Sequence, residues 1–386
     1  MSMRTTFVLP DRSTAYDLGD DHPLNPLRRM LAADLIRACG LLEREGVTSI
    51  EAGPATDEQI ERVHAPAYVA AVRQFSRSPA LAASWEAGQW GLASGGDTPA
   101  FLGMHEAAAQ ICGASVAAAM AVWEGRADQA FSPQGGLHHA FANRAAGFCI
   151  YNDPAVAIQA MLDAGAERVA YIDIDVHHGD GTQWIFYDEP RVLTCSVHES
   201  GQFLFPGTGA LDERGGPQAP NSAINIPLPA HAGDGPYIRA VTDVIVPAVE
   251  DFRPEVIVTQ NGADPHYADP LAHLQVSLAA LPIVYHAIGE LAASSAAGRL
   301  VALGGGGYTF DVVPRAWTIL FAEMIGAQLP EDLPAEWLAA AQERTGETLT
   351  PTMTGDGVPE VPADVRAAAD MAGEKVVDEA RSAFGL

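Results

Sequence analysis

Basic residues are scarce in this 386-residue sequence, where 22 Lys and Arg side chains stand against 49 Asp and Glu, a formal net charge of −27. Because the surplus carboxylates are spread along the chain, most of the surface would repel a nucleic-acid backbone, and we expect no nucleic-acid partner. The acidic surface is compatible with cationic substrates such as lysine-rich peptides or polyamines. Surplus carboxylate is more often only a solubility feature, so the charge permits this interpretation without requiring it.

Cysteine is also scarce, and long hydrophobic runs are absent. The four cysteines are far apart and form no CxxC pair, which argues against a disulfide framework and against a cysteine-rich zinc site. No stretch of about 18 uninterrupted apolar residues occurs, and residues 1–11 lack an apolar segment behind a basic start. We therefore expect a soluble, cytoplasmic protein that does not associate with a membrane.

Short β-branched and apolar runs alternate with alanine-rich segments of helical spacing. This alternation predicts a parallel sheet covered by helices in a three-layer α/β architecture. The predicted strands are residues 129–131, 168–176, 191–197, 254–259 and 299–303, and the predicted helices are 107–123, 153–164, 237–250 and 278–293.

No internal repeat or linker interrupts the first 325 residues, which predicts one catalytic domain at 1–325. Prolines become frequent from residue 326 onward and punctuate two further predicted helices, 335–344 and 363–383. We expect residues 326–386 to form a C-terminal helical appendix packed on the same domain.

The most informative segment is residues 171–181, where apolar residues alternate with Asp173, Asp175 and His177. A period of two places these three polar groups on one face of a strand. A carboxylate in a buried strand is costly unless it is paired or bound to a cation, so a metal site is favoured over a hydrogen-bonded core aspartate.

Three other polar clusters follow predicted strands directly, at residues 135–139, 261–264 and 304–308. Sites in open α/β sheets form at the carboxyl ends of strands, so these segments are expected to share one cleft. Each cluster is weak evidence alone. The His138–His139 pair can arise by chance, Asp264 alone suits a turn, and Tyr308 alone suits a core position beside a tight glycine turn.

Together these side chains suit metal-assisted hydrolysis of an amide. Asp175, His177 and Asp264 offer three ligands to zinc or ferrous iron and leave a position for water. The remaining roles of base, acid, orienting carboxylate and oxyanion donor have candidates in His138, His139, Asp173, Asp180 and Tyr308.

At these residues the sequence resembles the histone deacetylase superfamily, in particular bacterial acetoin-utilisation deacetylases similar to class I histone deacetylases. The resemblance covers about residues 5–325. Its motifs, in the family's order, are 22–28 (HPLNPLR), 96–99 (GDTP), 135–139 (GGLHH), 147–152 (GFCIYN), 173–181 (DIDVHHGDG), 205–209 (FPGTG), 262–264 (GAD) and 304–308 (GGGGY).

The resemblance implies an arginase–deacetylase fold with a mainly parallel eight-stranded sheet and a narrow tunnel to the active site. It assigns His139 as the principal base and His138 as an electrostatic or acid partner. The substrate-binding positions that it implies are the tunnel walls Phe148 and Phe205, the carbonyl of Gly147, the carboxylate of Asp97, Gly306, and Arg28 at an acetate exit cavity.

The resemblance also implies a structural potassium ion behind the metal. Its ligands would come from Asp173, Ser196 and the backbone of Asp175, His177 and Val197.

Several functions remain open. The main expectation is deacetylation of acetyl-lysine in proteins or peptides, although the local form of residues 260–270 looks bacterial and argues against histones as substrates. A small-molecule amidohydrolase acting on acetylpolyamines shares the metal ligands. An arginase-like dimanganese enzyme is less favoured, because residues 175–180 lack the Asp-x-His-x-Asp spacing that a second metal needs. A non-catalytic module that binds acyl-lysine is also less favoured, because it would leave His138, His139 and Tyr308 unexplained.

Overall fold

A computed structural model describes residues 3–11, 16–19 and 21–386. Met1 and Ser2, where the predicted catalytic domain begins, lie outside the described residues. Within them, eight parallel strands form one sheet in the order β2-β1-β3-β8-β7-β4-β5-β6. The strands are β1 (Thr5–Val8), β2 (Val47–Ile50), β3 (Gln129–Ser132), β4 (Val169–Asp173), β5 (Val192–Glu199), β6 (Ala223–Leu228), β7 (Val256–Gln260) and β8 (Leu300–Leu303).

Helices connect and cover these strands. They are α1 (Leu27–Ala38), α2 (Asp57–Glu61), α3 (Pro66–Arg77), α4 (Trp85–Gln89), α5 (Met104–Trp123), α6 (Asp153–Asp163), α7 (Asp180–Ile185), α8 (Asp234–Arg239), α9 (Val246–Phe252), α10 (Leu281–Ser295), α11 (Val313–Ile325), α12 (Ala335–Thr345) and α13 (Ala363–Phe384).

Alternate side chains of each central strand enter different hydrophobic cores on the two faces of the sheet. In β4, Ala170 and Ile172 join the core beneath α1, α10 and α11, whereas Val169 and Tyr171 join the core beneath α3, α5 and α6. This arrangement confirms the three-layer α/β prediction and the parallel eight-stranded sheet that the resemblance implied.

Two predicted elements differ in extent. Strand β4 ends at Asp173 rather than at residue 176, because the chain bends through residues 175–177. The alternation nevertheless continues past the strand, since Ile174 and Val176 remain in the core of α1 and α11. The predicted helix 237–250 is formed by α8 and α9, which a π-helical turn at Ala240–Ile245 joins.

Helix α5 is long and apolar enough to cross a membrane by length and composition, but 72% of its most apolar window is buried in the fold. This degree of burial is typical of a helix in the core of a globular fold. It packs against α6 on one side and contacts β3 beneath it.

Both C-terminal helices pack on the rest of the chain. The Trp337 indole of α12 donates to the carbonyl of Leu31 in α1, at 3.1 Å. Helix α13 lies against α8 and β6, where Arg239 forms ion pairs with Glu374 and Asp378. The helices predicted at 335–344 and 363–383 are thus present, whereas the boundary at residue 325 stays a prediction.

Two helical glycines offer a matched test of this packing. A Cβ at Gly113 in α5 would collide with the backbone of residues 53–55, whereas a Cβ at Gly289 in α10 would meet nothing within 4 Å. We expect Gly113→Ala to destabilise the protein by about 1–3 kcal/mol, and Gly289→Ala to be neutral or stabilising by up to about 1 kcal/mol. Thermal melting of the two variants beside the parent measures both signs, and equal melting midpoints would contradict the expected packing.

Candidate active site

Three buried ligand groups meet at the carboxyl edge of the sheet. Asp175 and His177 follow β4, and Asp264 follows the neighbouring strand β7. One oxygen or nitrogen atom from each lies within 4.8 Å of the others. The structure therefore brings together the three residues that the sequence selected as metal ligands.

Backbone and amide donors fix the carboxylates of this triad. Gln260 Nε2 and the backbone N–H of Gly306 donate to the same oxygen of Asp175, at 2.6 and 2.8 Å. The backbone N–H of Val176 donates to Asp264 Oδ1 at 3.0 Å. The remaining oxygens of both carboxylates face His177 Nδ1, at 3.1 Å from Asp175 and 3.2 Å from Asp264.

The electrostatics of the triad fit a bound cation. Burial and the charge of Asp175 raise the pKa of Asp264 to about 6. Burial alone would lower the pKa of His177, but hydrogen bonds to the two carboxylates raise it to about 10, so a proton is attracted between them. Two buried carboxylates and one imidazole nitrogen that converge in this way are a donor set for zinc or ferrous iron.

His138 and His139 lie beside the triad, and each has its own carboxylate. His138 Nδ1 donates to Asp173 Oδ2 at 2.7 Å, and His139 Nδ1 donates to Asp180 Oδ1 at 2.6 Å. The two Nε2 atoms face each other at 3.0 Å, and His138 Nε2 is 3.9 Å from Asp175 Oδ1. The Asp173 and Asp180 carboxylates thus orient the two rings toward a common point.

The two histidines have opposite pKa shifts. Burial lowers the pKa of His138, but the carboxylates of Asp173 and Asp175 outweigh burial and raise it to about 9. Burial and the neighbouring charge of His138 lower the pKa of His139 to about 4. At neutral pH His138 is therefore protonated on both ring nitrogens, whereas His139 is neutral and its Nε2 can accept a proton.

The loop that carries both histidines is held by residues at the start of α6. The buried Asp153 carboxylate accepts the backbone N–H groups of Gly136 and Leu137, at 2.9 and 2.7 Å. Asn152 Nδ2 donates to the carbonyls of His138 and Ala140, at 2.8 and 3.0 Å. These bonds fix the backbone of the loop on which the imidazoles are mounted.

A narrow cavity lies beside these groups, with Phe148 and Tyr308 in its wall and Phe205 close to His139. The Phe205 ring centroid is 5.0 Å from that of His139, and the Phe148 ring centroid is 5.8 Å from that of Tyr308. Phe205 is 44% exposed, which places it at the mouth. Burial and the nearby Asp264 carboxylate raise the pKa of Tyr308, so its hydroxyl stays protonated and can donate a hydrogen bond. The same cavity is lined by Arg28, His138, His139, Gly147, Asp175 and Gly306.

The exposed Asp97 shapes one side of the mouth. Its carboxylate accepts the backbone N–H of Gly147 at 2.9 Å, and Thr98 Oγ1 accepts that of Phe148 at 2.9 Å. These bonds hold Gly147 and Phe148 at positive φ values of 52° and 70°. The left-handed backbone at a non-glycine residue is uncommon, and here it points the Phe148 ring into the cavity wall.

Arg28 lies on the inner side of the cavity. Its guanidinium donates to the carbonyls of Gly305 and Gly307, at 2.7 and 3.0 Å, and lies 5.9 Å from the centre of the Tyr308 ring. Two of the predicted potassium ligands are neighbours, because Ser196 pairs in register with Asp173 across β5 and β4. Ser196 Oγ is 2.8 Å from His198 Nδ1, and Val197 is the next residue of β5.

Several contributors to this site were not predicted. Gln260 binds Asp175 directly, Asp153 fixes the histidine loop, and the buried Asp269 accepts the backbone N–H of Tyr308 at 2.8 Å. Gln260 carried one signal in the sequence, since it lies between the predicted strand 254–259 and the polar cluster at 261–264. The other two resemble ordinary turn or helix-start residues, and their partners lie 16 and 39 positions away.

The sequence is similar to those of known proteins. The sequence model of the histone deacetylase domain matches residues 22–324. The acetoin utilization protein AcuC of Bacillus subtilis is 39% identical over 341 residues, 88% of this chain and 87% of that protein. AcuC of Staphylococcus xylosus is 37% identical over 358 residues, 92% of each chain.

Solved structures show the same fold. An HDAC homolog from Aquifex aeolicus superimposes with a TM-score of 0.81 and 28% identity, covering 98% of this chain and all of that one. An HDAC homolog crystallised in complex with SAHA gives a TM-score of 0.80 and 29% identity, covering 99% and 100% of the two chains.

The opposite shifts of the two histidines predict a measurable pH dependence. In protein stripped of metal by chelation, we expect His138 to titrate near pH 9 and Asp173→Asn to lower that pKa, because the substitution removes a negative charge. Because folding raises the pKa of His138, protonation of its imidazole stabilises the folded protein below about pH 6.5, and this stabilisation is lost as pH rises through 9. Histidine ring NMR shifts across pH 5–10 measure the titration, and an Asp173→Asn pKa equal to that of the parent would contradict the assigned cause.

Proposed function

This chain belongs to the histone deacetylase family, and we propose that it is a zinc-dependent deacetylase that hydrolyses the N-acetyl amide of acetyl-lysine in proteins or peptides. Deacetylase chemistry follows from the family. The observation that supports the assignment of residues is that the three buried metal-ligand groups lie together, and that one of them, Asp175, lines the same narrow cavity as the two carboxylate-paired histidines and Tyr308.

In this proposal Asp175, His177 and Asp264 hold the divalent metal, with ferrous iron as the alternative to zinc. When bound, such a metal polarises an amide carbonyl and lowers the pKa of water toward neutrality. Burial would raise the pKa of Asp175, but the positive charge of His138 and the hydrogen bonds to His177 and Gln260 hold it well below its usual range. The bonds from Gln260 and Gly306 also orient its carboxylate.

The two histidines take different roles because their protonation differs. His139 is unprotonated at neutral pH and serves as the base that accepts a proton from the attacking water. His138 is protonated, stabilises the negative charge that develops, and holds a proton for the leaving amine. Asp173 and Asp180 keep a hydrogen on each Nδ1, which presents both Nε2 atoms to the reaction.

The remaining cavity residues position the substrate. The Tyr308 hydroxyl donates to the oxyanion, Phe148 and Phe205 enclose the lysine stem, and Gly306 leaves room beside the metal ligands. The carbonyl of Gly147 and the carboxylate of Asp97 bind substrate polar groups at the mouth. Arg28 lines the exit for acetate.

A potassium ion near Asp173 belongs to the same proposal. The oxygens would come from the Asp173 carboxylate, the Ser196 hydroxyl and the backbone carbonyls of Asp175, His177 and Val197. The register that sets Ser196 opposite Asp173 supports it. The ion would balance part of the negative charge buried behind the metal ligands.

One observation favours a second substrate class. The mouth carries the exposed carboxylate of Asp97, and the whole chain has a net charge of −27. Acetylpolyamines are cationic small molecules that would be attracted to both. We therefore keep acetylpolyamine hydrolysis as the alternative within the same chemistry.

Two wider expectations remain part of the proposal. We treat residues 1–325 as the catalytic unit and residues 326–386 as an appendix of the same domain. A reducing, cytoplasmic location suits four cysteines that are all free thiols.

Acetate release from an acetyl-lysine peptide tests the proposed function. Chelator-treated protein reloaded with zinc or ferrous iron should release acetate, and Asp175→Ala and Tyr308→Phe should each reduce kcat at least about a hundredfold, since they remove a metal ligand and the oxyanion donor. Gly289→Ala serves as a control outside the cavity. N-acetylputrescine and N-acetylspermidine are assayed in parallel.

Each outcome decides between functions. Release from the peptide that both variants lose supports the lysine deacetylase. Turnover of the acetylpolyamines alone would instead support a small-molecule amidohydrolase. Tight binding of acetyl-lysine peptide without acetate release from any metal-loaded sample would show a non-catalytic module.

A further inference from the structure

A cleft of about 550 Å³ lies between α10 and α11, apart from the cavity that holds His138 and Tyr308. Its walls are mainly apolar. They include Ile288 from α10, Leu320 and Met324 from α11, and Leu300 from β8. The volume is within the range of small-molecule sites in proteins, which are concave, mostly apolar and carry a few polar groups.

Two buried polar side chains in the walls lack partners. Tyr285 and Gln129 both line the cleft and are each 4% exposed. Neither the Tyr285 hydroxyl nor Gln129 Oε1 has a hydrogen-bond partner among the described residues. Both atoms are shielded from solvent and lie behind the surface of the cleft, so the direct contacts of a ligand would be with the apolar walls and the rim.

The charged side chains at the rim of the cleft determine which ligand charge is attracted to it. Glu290 and Glu323 are side chains at the opening, together with the imidazole of His286. In the part of the chain that the structure describes, no lysine or arginine lines the cleft. A positively charged group at the opening would face two carboxylates, while an apolar body would contact the inner walls.

We propose that this cleft binds a small apolar molecule that carries a protonated amine, with the amine at the glutamate rim and the apolar body against the inner walls. The site is independent of the proposed reaction. The cleft nevertheless reaches the carboxyl end of β7, because Asn261 is one of its lining residues. The proposed metal ligand Asp264 lies three residues further along the chain.

Three probes with the same ring separate charge, hydrogen bonding and apolar contact: 2-phenylethylamine, 2-phenylethanol and ethylbenzene. Protein-observed NMR titration should give the amine the lowest Kd, the alcohol a Kd at least ~5-fold higher, and ethylbenzene the weakest binding. The double variant Glu290→Gln/Glu323→Gln should weaken the amine and leave the alcohol unchanged. Both substitutions are at exposed positions, so the fold is retained.

A blocking variant locates the binding. Gly289 lines the cleft, and a side chain added there would meet open space, so Gly289→Leu should abolish binding of the amine, whereas Gly289→Ala should keep most of it. Equal affinity for all three probes, or unchanged binding in folded Gly289→Leu, would overturn the proposal.

A second, independent observation concerns the segment between α12 and α13. The Asp356 carboxylate accepts the backbone N–H of Leu278 at 2.8 Å and lies 3.1 Å from His266 Nε2. His266 Nδ1 accepts the backbone N–H of Ala268, so Nε2 carries the hydrogen that is donated to Asp356. One C-terminal carboxylate therefore holds the loop that follows Asp264.

The same segment is tied to the loop that follows β8. The buried Arg315 donates to the carbonyl of Gly355 at 2.6 Å and pairs with Asp311 at 2.5 Å. The Asp311 carboxylate in turn accepts the N–H and the hydroxyl of Thr350, at 2.6 and 2.9 Å. Asp311 lies three residues after Tyr308.

The two loops are linked to each other as well. Asp269 donates its backbone N–H to the carbonyl of His266 at 2.9 Å, and its carboxylate accepts the N–H of Tyr308. A continuous set of hydrogen bonds thus runs from Asp356 through His266 and Asp269 to Tyr308. Residues 350–356, between α12 and α13, therefore contact both the loop after β7 and the loop after β8.

We infer that Asp356 is a positioning residue that sets Tyr308 relative to Asp264, an inference that rests on the proposed function. With the acetyl-lysine peptide, Asp356→Ala should lower kcat by about 10–100-fold with little change in KM, because displacement of a reacting group by about 1 Å has effects of that size. Asp356→Asn, which keeps one carbonyl acceptor, should recover part of the loss. Glu360→Gln, an exposed acid of the same segment, is the matched control.

The assay is run well below the melting midpoint of each variant, with melting curves recorded alongside. A lower midpoint with unchanged kcat would overturn the inference and leave Asp356 a stabilising residue only. Inactive wild type would contradict the proposed function instead, so the two failures are distinguishable.

Discussion

The burial of several carboxylates at one edge of the sheet is the constraint around which the rest of the site is arranged. Asp173, Asp175, Asp180 and Asp264 are each 2% exposed or less. Like charges so close together in a low-dielectric interior are tolerated only with compensating donors and cations. The imidazoles, the Gln260 amide, the glycine N–H groups and the proposed metal and potassium ions all supply that compensation.

The glycine-rich loops follow from the same constraint. A Cβ at Gly262 or Gly306 would collide with the carboxylates of Asp175 and Asp264, so only glycine allows the backbone to approach them. The N–H of Gly306 then serves as one of the donors that Asp175 needs. Close packing and charge compensation are therefore one structural requirement in these loops.

The chemistry of the two adjacent histidines is set by their surroundings rather than by their identity. Both are buried and both donate to an aspartate, yet the pKa of His138 is raised and that of His139 is lowered. The difference arises because His138 also faces Asp175, whereas His139 faces the positive charge of His138. Two identical side chains can thus serve as proton holder and proton acceptor.

The sequence predicted the parts of this arrangement that depend on local pattern. The alternation around Asp173 and Asp175 and the polar clusters at strand ends were sufficient to select the candidate ligands and the histidine pair that the structure brings together. Strands β1, β2 and β6 were not predicted. The first two are four-residue strands, one of them at the sheet edge with partly exposed side chains, and carry little periodicity, while β6 contains Asn225 and Pro227, which interrupt an apolar strand pattern. The roles of Asp153, Asp269 and Asp356 depend on partners that only the fold brings near.

The strand order has a consequence for how the protein is made. Strand β8 leaves the ribosome after every other strand, yet it lies in the middle of the sheet between β3 and β7. Until residues 300–303 emerge, the half that carries the histidine pair and the half that carries the metal ligands have no strand to join them. A chain interrupted before that point retains both sets of reactive groups but no shared active site, so the nascent polypeptide acquires its chemistry in a single late step.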